Sequence, residues 1–302
     1  MRIVSLLPSA TEILYALGLG GSVVGVTHEC DLPPEAAQKP VLIKSRVDPH
    51  AAPAEIDRQV GELVGRGESI YAVDADLLAS LQPDLIVTQD LCHVCAASPG
   101  DLATALTRFP RPPRVLALTP HSLGDVWQDI SSVGQATDAE AAAASLIADL
   151  RCRVSLVASR VSNVAHRPRV LCLEWLDPFY VAGHWVPEMV ATAGGADVLG
   201  SKGESSFQVS AEQIARTNAE IILIMTCGYN AAKNATQFKA MRVPEAWRSL
   251  PAWRERRIFA LDANSYTSRP GPRLADGLEI FAQIFHPYLF SAELPVGAYL
   301  KL

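Results

Sequence analysis

The stretch Asp84-Leu-Ile-Val-Thr-Gln-Asp-Leu-Cys-His-Val-Cys95 changes abruptly from an apolar run into two cysteines that flank a histidine. Leu85, Ile86 and Val87 are uninterrupted by charge, which is typical of a strand covered on both faces of a mostly parallel sheet. The cysteines then lie just beyond the carboxyl end of this strand. Ligands of open α/β sheets bind in the crevice at that edge. The stretch therefore predicts a strand that delivers binding chemistry at its end.

A second stretch repeats this plan in the other half of the chain. Ala219-Glu-Ile-Ile-Leu-Ile-Met-Thr-Cys-Gly228 again places an acidic residue before an apolar run and a cysteine just after it. Two halves that are built alike, each with sulfur in a loop after a strand, predict two lobes that face one cleft.

Length and composition agree with two lobes. The chain has 302 residues, of which 49% are hydrophobic, so it exceeds one usual core and can bury two. Residues 122 to about 162 contain no proline and an alanine-rich middle, which predicts one long helix, with a break near Gly134 as the alternative. We expect an α/β fold with mostly parallel sheets: a lobe over residues 1–120, a long rigid connecting helix over 121–163 and a lobe over 164–302.

The charge and the amino-terminal sequence limit which partners and which cellular compartment we expect. The formal charge of -6, without a basic tract, argues against a nucleic-acid partner. No segment reaches the roughly 20 apolar residues of a membrane span. The apolar run in Met1-Arg-Ile-Val-Ser-Leu-Leu-Pro8 is too short for a signal-peptide core. These features predict a cytoplasmic protein, in which six cysteines stay reduced.

Ser9 and Glu12 have the spacing of a capping box, which predicts a helix start after the first strand.

Several motifs along the chain carry a family resemblance. The motifs are Ser5-Leu-Leu-Pro-Ser-Ala-Thr-Glu12, Val24-Gly-Val-Thr-His-Glu-Cys-Asp31 with Pro33-Pro34, Leu81-Gln-Pro-Asp-Leu-Ile86 and Arg269-Pro-Gly-Pro-Arg273. Together they resemble the helical-backbone class of substrate-binding proteins of ABC importers, and in particular the periplasmic cobalamin-binding proteins.

The resemblance covers nearly the whole chain and carries expectations about function. It implies two α/β lobes joined by one long helix, with a small-molecule ligand between the lobes. It also implies a cobalamin, another corrinoid or an iron complex as ligand, and an ABC importer as partner. A cytoplasmic chain would approach an importer from the wrong face, so intracellular storage or delivery is the alternative.

Candidate ligand residues are polar or aromatic side chains near predicted strand ends. Trp175 and Trp185 could stack on a flat ligand, with core packing as the alternative. Arg269 and Arg273 suit an anionic group, unless they pair with Asp276 or Glu279. The full predicted set is Ser9, His28, Glu29, Gln89, Glu174, Trp175, Trp185, Tyr229, Tyr266, Arg269 and Arg273.

The cysteines suggest a second kind of site. Cys30, Cys92, Cys95 and Cys227 all follow predicted strands, so we expect them to converge on an iron–sulfur cluster or, as the alternative, zinc. His28 and His93 neighbour these cysteines and could join the ligands. Cys152 and Cys172 instead read as small buried hydrophobic residues.

An enzyme is the second functional class. No phosphate-binding glycine loop, Gly-x-Ser-x-Gly elbow or His-Glu-x-x-His helix is present. The remaining enzymatic hypothesis is a thiol redox protein that uses Cys92 and Cys95. A binding protein is the leading interpretation.

Overall fold

A computed structural model describes residues 1–90, 99–291 and 293–302. The chain forms two compact units. Unit 1 comprises Met1–Pro120 and Gly124–Ala148, and unit 2 comprises His121–Leu123 and Asp149–Leu302. Each unit contains its own sheet and its own apolar core.

The sheet of unit 1 has six strands in the order β4-β3-β2-β1-β5-β6. All neighbouring pairs are parallel except β3 and β4, which are antiparallel. The central strand pairs through Ile3 with Leu85 and through Ser5 with Val87. The strands are β1 (Ile3–Ser5), β2 (Val23–Thr27), β3 (Val41–Ser45), β4 (Tyr71–Val73), β5 (Leu85–Gln89) and β6 (Arg114–Leu118).

Helices of unit 1 connect these strands and cover their apolar side chains. The core contains Val4, Ile86 and Leu78, which come from two central strands and one helix. The α-helices of this part of the chain are α1 (Pro8–Ala16), α2 (Pro53–Gly65), α3 (Ala75–Leu81), α4 (Pro99–Leu106), α5 (Leu123–Ala136) and α6 (Glu140–Arg160). Two short 3-10 helices, Gly20–Ser22 and Ala36–Gln38, complete the connections.

The start of α1 differs from the predicted capping box. The residue that precedes the helix is Leu7, which provides no side-chain hydrogen bond, and Pro8 is the first helical residue. Proline fits this position because the first helical N–H has no intrahelical partner. Ser9 therefore lies inside the helix and is not its cap.

The predicted long helix is two helices rather than one. α5 ends at Ala136 and α6 begins at Glu140, with Asp138 at a φ of 55° between them. A Cβ atom at Gly134 would lie 2.6 Å from the Cβ of Ala143, so glycine allows α5 to approach α6 closely. Residues 140–148 of α6 belong to unit 1 and residues 149–160 to unit 2. The chain therefore passes between the units within this 21-residue helix.

The sheet of unit 2 is also mixed. Its order is β10-β8-β7-β11-β12-β13, and β9 pairs with β7. The pairs β7–β11 and β11–β12 are parallel, whereas β8, β10 and β13 run antiparallel to their neighbours. The strands are β7 (Arg169–Leu176), β8 (Phe179–Val181), β9 (Ala196–Asp197), β10 (Phe207–Gln208), β11 (Ile221–Ile224), β12 (Ile258–Leu261) and β13 (Tyr299–Lys301).

The core of unit 2 is built on the three parallel strands. Every residue of β11 and β12 is buried, as expected for strands covered on both faces. Trp247 is fully buried and packs against Phe179 with 5.0 Å between ring centroids. The helices are α7 (Val186–Thr192), α8 (Ala211–Ala215), α9 (Ala231–Ala240), α10 (Pro251–Arg254), α11 (Ala263–Tyr266) and α12 (Leu274–Phe285), with a 3-10 helix at Glu245–Ser249.

The α/β fold with two lobes is therefore confirmed, and both sheets contain parallel and antiparallel pairs. In the described part of the chain no helix combines the length and the apolarity that a membrane span requires.

Candidate functional site

The carboxyl ends of β7, β11 and β12 meet at one edge of the sheet in unit 2. The turn after β11 lies against the end of β7, because the backbone N–H of Cys227 donates to the carbonyl of Glu174 over 3.3 Å. Parallel neighbours carry their side chains to the same edge, so the residues after all three strands form one surface. This strand-end surface of unit 2 contains six of the predicted ligand residues: Glu174, Trp175, Tyr229, Tyr266, Arg269 and Arg273.

Asn234 holds this edge together, and the sequence analysis missed it. Its side chain is fully buried in α9. The Oδ1 atom accepts from the N–H of Thr226 over 3.1 Å, and Nδ2 donates to the carbonyl of Leu261 over 2.9 Å. One amide therefore joins the end of β11 to the end of β12. The signal in the sequence is an asparagine on a helix that directly follows a strand-end turn.

Tyr229 forms the centre of the surface. Its side chain is only 5% exposed, and its carbonyl accepts from the N–H of Asn264 over 3.1 Å. The phenol oxygen is buried and has no hydrogen-bond partner among the described residues. Burial raises the pKa of the phenol.

Two side chains flank the Tyr229 ring. The Trp175 ring lies 6.1 Å away between centroids, and Lys233 places Nζ 3.6 Å from the Tyr229 centroid. Trp175 is half-buried, and its indole N–H donates to the carbonyl of Asp177 over 3.1 Å, which fixes the ring orientation. Trp175 thus offers a partly accessible aromatic surface next to a cation.

The two predicted arginines lie beside α11 and at the start of α12. Arg269 is 7% exposed, and its Nη2 donates to Oδ1 of Asn264 over 2.9 Å. Arg273 directly precedes α12. The carboxylates that were their alternative partners, Asp276 and Glu279, both bind Arg153 of α6.

The three remaining predicted residues of unit 2 differ in how far they are buried. Trp185 is buried and donates its indole N–H to the carbonyl of Thr267 over 2.8 Å, so little of its ring is accessible. Tyr266 is half-buried, and burial and then Asp262 raise the pKa of its phenol. Glu174 is half-buried at the end of β7.

In unit 1 a buried network surrounds Cys30. The hydroxyl of Thr11 lies 2.8 Å from Oγ of Ser5 and 3.0 Å from Sγ of Cys30, which is 3% exposed. Oγ1 of Thr27 lies 3.4 Å from the same sulfur. The thiol is therefore enclosed and hydrogen-bonded by its own lobe.

The other predicted residues of unit 1 also follow strands or begin α1. His28 is partly exposed, with Nδ1 3.0 Å from the carbonyl oxygen of Ile43, and Nε2 lies 4.0 Å from the exposed Glu29. Ser9 and Gln89 are buried. The Nε2 atom of Gln89 has no hydrogen-bond partner within the described residues.

The four-cysteine site stays a prediction. Cys92 and Cys95 lie outside the described residues, as does His93, so the thiol redox hypothesis also stays a prediction. Within residues 1–90, 99–291 and 293–302, no group of three or more His, Cys, Asp or Glu side chains is arranged to hold a metal ion. Cys227 is exposed, and Cys172 is buried in β7 as expected. Cys152 was expected to be buried and is instead exposed on α6.

Comparison with known proteins identifies the family. Residues 3–265 match the periplasmic binding protein family. The chain belongs to this family. Its relatives include the uncharacterized ABC transporter substrate-binding lipoprotein YvrC of Bacillus subtilis, 27% identical over 96% of this chain and 81% of that protein. They also include the vitamin B12-binding protein of Vibrio parahaemolyticus, 24% identical over 92% of this chain and 86% of that protein.

Solved structures agree with the family assignment. The periplasmic heme-binding protein RhuT from Roseiflexus sp. RS-1 in its apo form has a TM-score of 0.71 and 26% identity, covering 96% of this chain and 99% of that one. The periplasmic vitamin B12-binding protein BtuF of Vibrio cholerae has a TM-score of 0.69 and 22% identity, covering 96% and 98%, and shows the shared fold.

Family membership corrects the predicted location. The sequence analysis predicted a cytoplasmic protein from a short apolar run at the amino terminus. That prediction is wrong, because the family is one of periplasmic binding proteins and its relatives include a lipoprotein. A short apolar run does not determine the compartment.

Proposed function

We propose that this chain is the extracytoplasmic binding component of an ABC importer and that it takes a tetrapyrrole-type ligand, a corrinoid or a haem. Membership of the periplasmic binding protein family supports the binding role. The vitamin B12-binding and heme-binding proteins among its relatives and structural neighbours support the ligand class.

The observation that carries the ligand class is the strand-end surface of unit 2. A flat macrocycle needs an accessible aromatic face, and the half-buried Trp175 provides one at the carboxyl ends of parallel strands. Cationic side chains lie on elements of the same edge, with Lys233 on α9 and Arg269 next to Asn264 of α11. An aromatic face with nearby cations suits a ring system that bears acidic or polar substituents.

Individual roles follow from these positions. We assign stacking on the ligand to Trp175, and contact with polar ligand substituents to Tyr266, Arg269 and Arg273. Trp185 supports the surface through its bond to Thr267. His28 and Glu29 of unit 1 are both accessible, and their role in ligand binding stays a prediction.

Titration of the purified protein with haem and with cyanocobalamin tests the proposal. Absorption spectra and tryptophan fluorescence would be followed, and ligand retention would be checked by gel filtration. We expect one of the two ligands to bind stoichiometrically and to quench fluorescence. If neither ligand is retained at large excess, the tetrapyrrole assignment is wrong.

A pair of tryptophan variants locates the site. Trp175→Leu removes the accessible ring, and we expect it to weaken binding about fivefold because stacking of an aromatic ring contributes on the order of 1 kcal/mol. Trp253→Leu is the matched control, because Trp253 is also half-buried in unit 2 but lies on α10, next to Ala219 at the amino end of β11. Equal losses in both variants would place the ligand elsewhere.

A further inference from the structure

Lys233 lies on the strand-end surface, and contacts within its own lobe do not explain its position there. It lies in the first turn of α9, and its exposed side chain places Nζ over the Tyr229 ring at 3.6 Å from the centroid. Among the described residues no carboxylate lies within ion-pair distance of this ammonium group. Tyr229 is therefore the group that holds it.

The energetic terms at Lys233 oppose each other. A cation over an aromatic ring is stabilised by the ring. A cation in the first turn of a helix is destabilised, because the amino-terminal end of the helix macrodipole is positive. Partial burial also lowers the pKa of Lys233. Because two of these three terms disfavour the charged side chain, fold stability does not account for its position.

The Lys233 ammonium also determines which of the neighbouring rings a flat ligand can stack on. Only 5% of Tyr229 is exposed, and the Lys233 ammonium covers its ring. A flat ligand therefore cannot stack on Tyr229. The neighbouring Trp175 remains half-buried, with its centroid 6.1 Å from that of Tyr229. The surface consequently presents one aromatic face and one adjacent cation.

We propose that Lys233 selects ligands that carry an anionic substituent, a carboxylate or a phosphodiester, next to their flat ring system. This inference rests on the proposed function and specifies the ligand further. Tyr229 is a positioning residue: its ring holds the ammonium beside Trp175 and does not itself contact the ligand. An anion near Lys233 would also offset the unfavourable helix-terminus interaction of the free protein.

Two pairs of probes separate the two sources of negative charge. Haem carries two carboxylates, and its dimethyl ester carries none. Cyanocobalamin carries a phosphodiester, which dicyanocobinamide lacks. Affinities of all four probes would be measured for the wild-type protein, Lys233→Gln and Lys239→Gln. Lys239 is the matched control because it is an exposed lysine in the last turn of the same helix.

We expect Lys233→Gln to weaken the charged member of the bound pair about tenfold and to leave its uncharged counterpart unchanged. Loss with haem but not with its ester identifies a carboxylate, and loss with cobalamin but not with cobinamide identifies a phosphodiester. Lys233→Arg should retain most of the affinity. Equal effects on charged and uncharged members, or no effect in a protein that binds, would overturn the inference.

Tyr229 variants test the positioning role. Tyr229→Phe keeps the ring under the ammonium and should keep the preference for the charged probe, whereas Tyr229→Leu should lose that preference. A wild-type protein that binds none of the four probes would overturn the proposed function and this inference together. Binding by the wild type with unaltered preference in Lys233→Gln overturns this inference alone.

Discussion

Two turns of the molecule have the same position in their sheets and opposite chemistry. In unit 1 Cys30 lies three residues after Thr27, the last residue of β2. In unit 2 Cys227 lies three residues after Ile224, the last residue of β11. Cys30 is buried and hydrogen-bonded to Thr11, whereas Cys227 is exposed. Position after a strand therefore does not decide whether a thiol reaches solvent or a ligand.

The difference lies in what surrounds each turn. The β2 turn is enclosed by hydroxyl groups of its own lobe, Ser5, Thr11 and Thr27, which bond to each other or to the thiol. In the β11 turn the hydroxyls of Thr226 and Tyr229 are buried without a hydrogen-bond partner in the described residues. A complete polar network stabilises the fold, whereas buried polar atoms without partners do not.

Thiol labelling should show the largest contrast between the two turns. A thiolate reacts only when a reagent reaches it. Labelling of Cys30 should therefore require local opening of its lobe, whereas Cys227 should react directly. Opening free energies of a few kcal/mol correspond to rates that differ by on the order of 100-fold or more. Peptide-resolved mass spectrometry after timed alkylation measures each site, with Cys172 as the buried control and Cys152 as the exposed one.

Rapid labelling of Cys30 would contradict the enclosed network and would favour the predicted role of this cysteine as a metal ligand. Protection of Cys227 in the wild type, lost on treatment with a chelator, would give independent support to the four-cysteine prediction.

The β11 turn is hydrogen-bonded to α11 through Asn264 and Tyr229, and α12 packs on α11, so a change in α12 can disturb this support. A Cβ atom at Gly277 of α12 would overlap the carbonyl oxygen of Tyr266, a backbone atom that cannot rotate away. Gly277→Ala should lower the free energy of unfolding by about 3 kcal/mol, the upper part of the range for overpacking. Chemical denaturation measures the loss. Gly61→Ala is the control, because nothing lies within 4 Å of the added methyl group in α2.

The same pair of variants tests whether the two turns are independent. Gly277→Ala should weaken ligand binding at the strand-end surface of unit 2 and leave the labelling rate of Cys30 unchanged. Gly61→Ala should raise stability by up to about 1 kcal/mol, since alanine is the better helix former. A loss of stability in both variants would show that the overlap at Tyr266 is not the cause.

The carboxyl of Asp129 on α5, which lies beside Thr119 just after β6, tests how closed unit 1 is. Burial, and then repulsion by Asp125, raise the pKa of Asp129 to about 7, and Oδ2 has no partner among the described residues. The folded state therefore holds this proton more tightly than the unfolded state. The stability that protonation provides is complete below the ordinary carboxyl pKa and is lost as the pH rises through about 7.

Asp129→Asn removes the charge that burial disfavours. After allowance for solvent screening of this partly exposed group, its advantage over the wild type should grow by about 2 kcal/mol between pH 4 and pH 8. Urea denaturation at several pH values measures the difference. Asp138→Asn is the control, because Asp138 is exposed and tolerates asparagine at its positive φ. A pH-independent difference for Asp129→Asn would show that the carboxyl is well solvated.

Much of this fold follows from local sequence patterns. The apolar runs predicted β5 and β11. β4 and β13 were missed because they have three residues each and pair antiparallel at sheet edges. A break near Gly134 was the alternative to one long helix, and the break between α5 and α6 lies at residues 137–139.

The candidate site was only partly predictable. Trp175 lies near the end of β7 and Tyr229 follows β11, so strand assignment was sufficient to place them at the edge. Asn234 lies on a helix, and its importance comes from its contact with Leu261, far along the chain. Lys233 lies on the same helix, and its importance comes from its contact with the Tyr229 ring. Burial separated Cys30 from Cys227, and burial depends on the packing of both strands and helices. Sequence position therefore identifies the edge, and tertiary contacts decide which side chains are available there.

The smallest expected effect gives the most direct comparison of the two turns, because it deletes one hydroxyl oxygen from each. Thr11→Val removes a hydroxyl that bonds to Ser5 and Cys30, so we expect a loss of about 1 kcal/mol in the free energy of unfolding. Tyr229→Phe removes a buried hydroxyl that has no partner among the described residues, so stability should stay within about 0.5 kcal/mol or increase. Urea denaturation of both variants gives the two differences. Equal losses would mean that the Tyr229 hydroxyl is satisfied by solvent in the free protein, and the contrast between a closed and an open turn would then fail.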